Sequence, residues 1–583
     1  MKVFNVITIL AVFFCSCQKS GFLDEKTNTL DDKAVFSDSV RTLGFLNRIY
    51  QDIGYTFALY RFSSGGGAGN TEMATDNAEG NTSSSVWSNA YVSGSIGPGN
   101  VLTGFAADKD FWETPYRNIR RANLLIARLP EAPFKESTKA RMAAEARFLR
   151  AFYYYHLVAA FGGVPLIGDN VFDISDIINV PRNSFEECVN YLVTELDQSA
   201  QALSSVVYSD IDYGRITAGA CLALKSRVLL YAASPLFNGG FTDRPADKVK
   251  LVGYTSYDKN RWQIAADAAE AVMKTGTYFL HKDNVTRPGN GFYDVFLKRV
   301  NSEYILALNR GPQREMEAFY LPGSRSGSLV AKPTHNLVEA FPMKDGKPIS
   351  ESPLYDPKNP YTNRDPRFDY SIIYNGLSYT SNSGPKTPVY TYMGTTEFPN
   401  TSPDAYLPTG FMTGYFSRKM LDENLATNTA GTTDRGWPLI RYAEILLNYA
   451  EAINEAGFPE KAYASLKELR DRAGILPGSD NLYGLKANMN VDDMRKIIQN
   501  ERRIELAFED HRFNDIRRWM IASTVLNGTN KVIVITKVKA DEYKYEVGPT
   551  RRPLQFRDAM YLLPIPLTEI QKMPLMVQNP DYF

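Results

Sequence analysis

The densest collection of groups able to do acid–base chemistry lies near the C-terminus, where Glu501, Glu505, Glu509, Asp510 and His511 stand among Arg502, Arg503 and Arg512. Residues three and four apart on a helix share a face, so Glu501, Glu505 and Glu509 would align. A pair of carboxylates hydrolyses a glycosidic bond only when the two face each other across a cleft. Consecutive turns of one helix do not place them so, and the adjacent arginines point instead to an ion-pair network joining helices. No residue is assigned to catalysis on this basis. The four histidines, His156, His281, His335 and His511, show no metal-ligand spacing with one another or with cysteine. Asp210-Ile-Asp212-Tyr-Gly214 lacks the third acidic position and the distant glutamate of a calcium loop. Gly65 to Gly69 lacks the Lys-Ser/Thr pair of a phosphate loop. Neither a metal nor a cofactor is expected.

Sugar binding needs less distinctive residues: an aromatic ring beneath the apolar face of a pyranose, with Asn, Asp or Arg to bond the hydroxyls. The stretch from Asp76 to Tyr91 offers Asp76, Asn77, Trp87, Asn89 and Tyr91. The stretch after an expected strand, Glu303 to Leu308, offers Arg310, Phe319, Tyr320 and Arg325. Trp87 is the residue expected to matter most. For each aromatic the competing reading is ordinary packing within a loop.

The elements that would hold these stretches are mainly helical. Apolar residues recur at threes and fours in windows running from Asp108 to Leu129, Thr138 to Phe161, Ser184 to Leu203, Thr217 to Ala233 and Asn260 to Lys274. Alanines crowd the second of these, and Gly162-Gly163 stops it. Further on, Ile440 to Ala456 and Glu460 to Ala473 form a helix pair broken at Gly457 and restarted by Pro459, the size of one tetratricopeptide unit. Two regions, about 60–105 and 310–430, are rich in Gly, Pro, Ser, Thr, Asn and Tyr and lack periodicity. Long irregular regions in compact proteins are usually functional or mobile. The architecture predicted is an array of helix pairs carrying ordered loop insertions and a few short strands.

Composition narrows the function classes. Lys+Arg and Asp+Glu are both 65 in the 583 residues, so the basic excess of a nucleic-acid binder is missing. Four cysteines are too few for a disulfide scaffold. Cys188 and Cys221 could be buried thiols or one disulfide, with buried thiols favoured. Met1-Lys2, an apolar run from Val3 to Phe14, and Ser16-Cys17 read as a secretory signal ending in a bacterial lipobox. Acylated Cys17 would anchor the chain, since several acyl chains hold firmly where one does not. The expected organisation is a signal peptide over 1–17, a polar tether over 18–40 and one helical domain over 41–583.

Several segments, in order along nearly the whole chain, resemble the SusD/RagB family of nutrient-uptake lipoproteins. They include Phe22-Leu-Asp-Glu-Lys26, Ala144-Glu-Ala-Arg-Phe-Leu-Arg-Ala-Phe-Tyr-Tyr-Tyr155, Phe161-Gly-Gly-Val-Pro-Leu166 and Gly214-Arg215 to Pro235. Val338-Glu-Ala-Phe-Pro-Met-Lys-Asp-Gly346, Asn363-Arg-Asp-Pro-Arg-Phe368 and Ile440 to Ala452 follow. The last are Asn500-Glu-Arg-Arg-Ile-Glu-Leu-Ala-Phe-Glu509, Arg517-Arg-Trp519, Leu563-Pro-Ile-Pro566 and Gln578-Asn-Pro-Asp-Tyr582. The resemblance implies tetratricopeptide-like helix pairs and a lipid-anchored place on the outer face of a Bacteroidetes-type outer membrane. There the protein would cap a SusC-like TonB-dependent transporter as a hinged lid and bind glycan without cutting it. Part of the family binds peptides instead, so a RagB-like peptide-capturing protein is the alternative. A surface glycosidase would require two acids converging from separate elements.

Overall fold

The structure, a computed structural model, describes residues 31–54, 71–80, 86–101, 111–173, 175–241, 243–312, 314–328, 330–410, 412–426 and 434–582. The expected signal peptide, Cys17 and most of the expected tether lie outside the described residues. The remainder of that tether is not a polar leash. Asp32–Phe36 and α1, Ser39–Gln51, are helices capped by Asp31 and Asp38, and Phe36 is buried in the core. The folded body therefore begins by Asp32.

The helical windows fold as predicted and stack in sequence. They are α2 (Glu113–Arg128), α3 (Glu136–Phe161), α4 (Phe185–Leu203), α5 (Ala218–Ala233) and α6 (Asn260–Lys274). Near the C-terminus come α7 (Tyr442–Glu455), α8 (Pro459–Arg472) and α9 (Val491–Glu505). Each of α2 to α8 packs on its successor, and α9 joins on α7. α3 is buried on nearly every side between its neighbours, which is why alanine and aromatics fill it all round rather than along one stripe. It ends at Gly162, whose φ of 79° favours glycine, and a Cβ on Gly163 would come within 2.2 Å of the Asn183 carbonyl. α4 starts with a capping box in which Ser184 and Glu187 bond each other's backbone N–H. Cys188 and Cys221 are separate buried thiols, which settles that alternative.

The strands are short except at two places. Tyr304–Arg310 (β1), where a strand was expected, pairs antiparallel with Arg435–Arg441 (β2), which the helical reading from Ile440 overlapped. Asn527–Lys539 (β3) and Glu542–Gln555 (β4) form a long antiparallel hairpin that periodicity did not announce. β4 is buried on one side only, through Thr550, Arg552 and Leu554, while β3 buries Asn530 and Val532 on one face and Ile533 and Ile535 on the other, so no simple alternation runs along the ribbon and its apolar content is diluted by exposed Lys, Glu and Thr. The hairpin gathers the irregular insertions. Thr413 O accepts from Ile533 N at 3.0 Å, Ile535 O accepts from Met393 N at 2.7 Å, and Asn336 Oδ1 accepts from Lys531 N at 2.7 Å.

Between helices and insertions lies a buried ion network. Arg441, at the end of β2, contacts Glu303 at 2.7 Å, Glu505 at 2.7 Å and Glu509 at 2.6 Å. Arg472 of α8 bonds Glu303 and Glu505, and Arg470 bonds Glu501 at 2.8 Å. From the insertion, Arg367 reaches Glu501 at 2.7 Å, Glu505 at 2.9 Å and Asp365 at 2.7 Å, while Lys419 reaches Glu509 at 2.6 Å. All these side chains are buried, and the cations match the carboxylates one for one. Glu501 and Glu505 lie one turn apart on α9, which ends at Glu505, and Glu509 joins them from the turn that follows; all three are closed by cationic groups. Burial alone would raise their carboxyls; the facing arginines and Lys419 outweigh it and hold all of them below the usual range.

Removing one partner of a buried pair leaves its neighbour's charge uncompensated, at a cost of about 3–5 kcal/mol. Glu505→Gln is accordingly expected to lower unfolding free energy by about 3 kcal/mol or more, measured by denaturant unfolding followed by circular dichroism. The depressed carboxyls contribute stability that is fully present above the unfolded-state value and lost as pH falls toward the folded one. The wild-type midpoint should therefore hold near neutrality and decline below about pH 4, more steeply than that of Glu505→Gln.

Candidate functional site

The two stretches read as ligand-facing come together in space. Ala78 and Glu79 pair antiparallel with Pro333 and Lys332, and Thr334 N donates to Asn77 O at 2.9 Å. Most of the side chains singled out in them, however, point inward. Asp76 is clamped by Arg503 at 2.8 Å and Arg512 at 2.8 Å. Burial opposes its charge, but those guanidinium groups win and hold its carboxyl at about 2. Asn77 accepts from Arg503 Nε at 2.8 Å and donates to Glu72 at 3.1 Å. Glu72, which also accepts from Phe508 N at 2.7 Å, is lifted by burial to about 7 despite those bonds.

Trp87 is 1% exposed on the helix Val86–Val92. Its ring stacks on Tyr91 at 5.5 Å and meets Phe111 at 5.4 Å and Phe513 edge-on at 5.6 Å. Tyr91 donates its hydroxyl to Met560 O at 3.2 Å. Neither ring offers a sugar a face in this structure, so the expectation for Trp87 is replaced by a packing role. The local cause is helical: residues four apart stack along one side, and that side meets Phe513. Tyr320 is buried edge-on to Phe508 at 6.0 Å. Arg325 is a staple within the second insertion, donating to Thr387 O at 2.6 Å, Thr387 Oγ1 at 2.8 Å and Ser324 Oγ at 2.8 Å. Three of the expected residues are not fully buried among the described side chains or lie outside them. Asn89 is half-buried and accepts from Arg552 at 2.9 Å, Phe319 is half-buried at the end of the helix Glu315–Tyr320, and Arg310 closes β1, its side chain outside the described residues.

A second aromatic surface escaped the sequence reading. Tyr390, 41% exposed, meets Tyr392 at 5.8 Å, and Tyr392 meets Tyr543 of β4 at 5.7 Å. Tyr545, two residues along β4, sits on Tyr361 at 5.6 Å, which stacks on Tyr374 at 4.4 Å. The signal that could have found it is the Tyr-x-Tyr spacing at 390–392 and 543–545, the period of a strand with one face turned to a common side.

Trp112, the cap of α2, Tyr116 of α2, Phe172, Ile177, Ile178 and Met573 line an apolar cleft of about 980 Å³ that also has charged residues in its lining. Among the described residues, no group of His, Cys, Asp and Glu is placed to hold a metal ion, and no helix is long and apolar enough to cross a membrane.

Comparison with known proteins gives a consistent answer. The SusD family model matches residues 297–582, and a second model, described as starch-binding associating with outer membrane, matches residues 22–230. SusD-like protein P2 of Formosa agariphila is 26% identical over 484 residues, 81% of this chain and 80% of that protein. The crystal structure of a SusD-like protein from Bacteroides fragilis superposes with a TM-score of 0.74 at 26% identity, over 95% of this chain and 99% of that one. A SusD-like carbohydrate binding protein from the same species gives 0.68 at 24% identity, over 93% and 99%. With helix pairs, insertions and ordered motifs all in agreement, the chain belongs to the SusD/RagB family.

Proposed function

We propose that this protein is a cell-surface glycan-binding lipoprotein that captures oligosaccharide or polysaccharide and hands it to a SusC-like TonB-dependent transporter. The observation that carries the reading is the junction of the two irregular insertions through Ala78–Glu79 and Lys332–Pro333, in a family with carbohydrate-binding members. Loops held by a rigid scaffold are where binding residues concentrate. At this junction the half-buried Phe319 is the aromatic assigned to stack on a pyranose, with Asn89 as a polar partner. Attachment to the outer membrane through acylated Cys17 belongs to the same proposal, and capture rather than cleavage is its chemistry. One observation favours peptide capture as a second reading: the apolar cleft by α2 has the mixed-charge lining, with Arg117, Arg120, Asp173 and Glu569, that a peptide backbone and side chains would suit.

The chain beginning after Cys17 should be slowed in native gels by one member of a polysaccharide panel. Phe319→Ala is expected to weaken that binding roughly tenfold with an unchanged melting curve. Trp87→Ala should instead lose about 3–5 kcal/mol of stability, as large buried aromatics do, and affect binding only through unfolding. Retardation by no polysaccharide, together with calorimetric binding of oligopeptides, would overturn the glycan reading in favour of peptides. A stable Trp87→Ala with lost binding would return the site to that ring.

A further inference from the structure

The tyrosine surface at the hairpin is a separate feature from the insertion junction, and its construction is graded. Tyr545, Tyr361 and Tyr374 form its inner part: Tyr361 is buried, stacks on Tyr374, lies near Phe368 at 6.1 Å, and Tyr374 bonds Asp369 at 3.0 Å. Tyr392 is buried as well, and its hydroxyl donates to Pro399 O at 3.3 Å. Tyr390 and Tyr543 are the outer members, exposed and half-exposed. The backbone beneath them is held too. Met393 N bonds Ile535 O on β3, Asn400 Nδ2 bonds Tyr392 O at 2.7 Å, and Thr391 N bonds Asn375 at 3.0 Å.

Exposed rings that are fixed in this way lose little freedom when something stacks on them, which favours binding. Each ring presents an apolar face and a hydroxyl, the combination that suits a molecule with apolar C–H faces rimmed by hydroxyls. The charge pattern adds a donor. Lys539 pairs with Glu542 at 3.2 Å and Lys544 with Glu546 at 2.8 Å, whereas Lys537, with no carboxylate partner among the described residues, lies 5.8 Å from the Tyr392 ring and 5.9 Å from the Tyr543 ring. A protein partner would need a broader apolar area than these outer rings provide.

We propose that Tyr390 and Tyr543, backed by the buried Tyr392 and joined by Lys537, form a second saccharide-binding surface that takes a pyranose unit of a glycan chain already held at the insertion junction. It rests on the glycan reading above. Two sites on one chain raise overall affinity for a long polymer through effective concentration, without raising it for an oligosaccharide too short to span them.

The test uses the folded chain after Cys17, the polysaccharide retained in the gel panel and its hexasaccharide, with binding followed by isothermal calorimetry. Tyr390→Ala/Tyr543→Ala is expected to weaken polysaccharide binding roughly tenfold while hexasaccharide binding, which Phe319→Ala weakens roughly tenfold, stays within twofold. Tyr390→Phe/Tyr543→Phe keeps the faces and should keep most of the affinity, and melting curves identify any variant that has merely unfolded. Unchanged polysaccharide affinity in the folded alanine pair overturns this surface and leaves the glycan reading standing. Absence of any saccharide binding by the wild type overturns both.

Discussion

A single constraint organises this molecule: charges taken out of water must be matched. Glu505 sits where α7, α8, α9 and the insertion around Asp365–Arg367 converge, and Arg367, Arg441 and Arg472 all close on it. Desolvating each of these ions costs several kcal/mol, so the arrangement is tenable only with every partner present. The network therefore makes a helical array and a long irregular insertion into one body. Apolar packing alone would hold the helices, but it is non-directional and could not specify where the insertion sits on them.

Neighbouring networks extend the same logic. Arg227 of α5 pairs with Glu444 of α7 at 2.5 Å, and Arg502 of α9 pairs with Asp515 at 2.9 Å. Asp515 in turn holds Arg518 at 2.8 Å, which also bonds Glu451 of α7. Arg503 and Arg512 carry the chain of pairs on to Asp76, at the foot of the insertion junction. The polar residues of the 72–79 stretch thus belong to the frame. Asp76, Asn77, Trp87, Tyr91, Tyr320 and Arg325 have sugar-binding residue types yet are occupied with structure.

The hairpin of β3 and β4 supplies what the ions do not. It crosses Met393, Thr413 and Asn336, so segments far apart in sequence meet along one ribbon. Tyr543 and Tyr545 reach the insertion tyrosines only because of that crossing. The aromatic surface is consequently a product of long-range pairing, with no local motif at either end beyond a two-residue repeat.

How much of this was legible in sequence follows from the range of each interaction. The helices from Glu113 to Lys274 and from Tyr442 to Arg472 were readable because a 3.6-residue period and local stops such as Gly162 and Pro459 are written into neighbouring residues. The structural character of Glu501, Glu505 and Glu509 was readable from the arginines set among them, although the helix ends at Glu505 and Glu509 joins the network from the following turn. Family membership was readable from the order of many short motifs. The direction of individual side chains was not: Trp87 faces Phe513 and Asp76 faces Arg512 across more than four hundred residues of chain, and composition around Trp87 or Asp76 carries no trace of those partners. The sequence by itself determined the helical array, the charges to be neutralised and the kinship. Only the tertiary structure decided which aromatics are buried and which are presented, because burial depends on contacts that exist only once the chain has closed on itself.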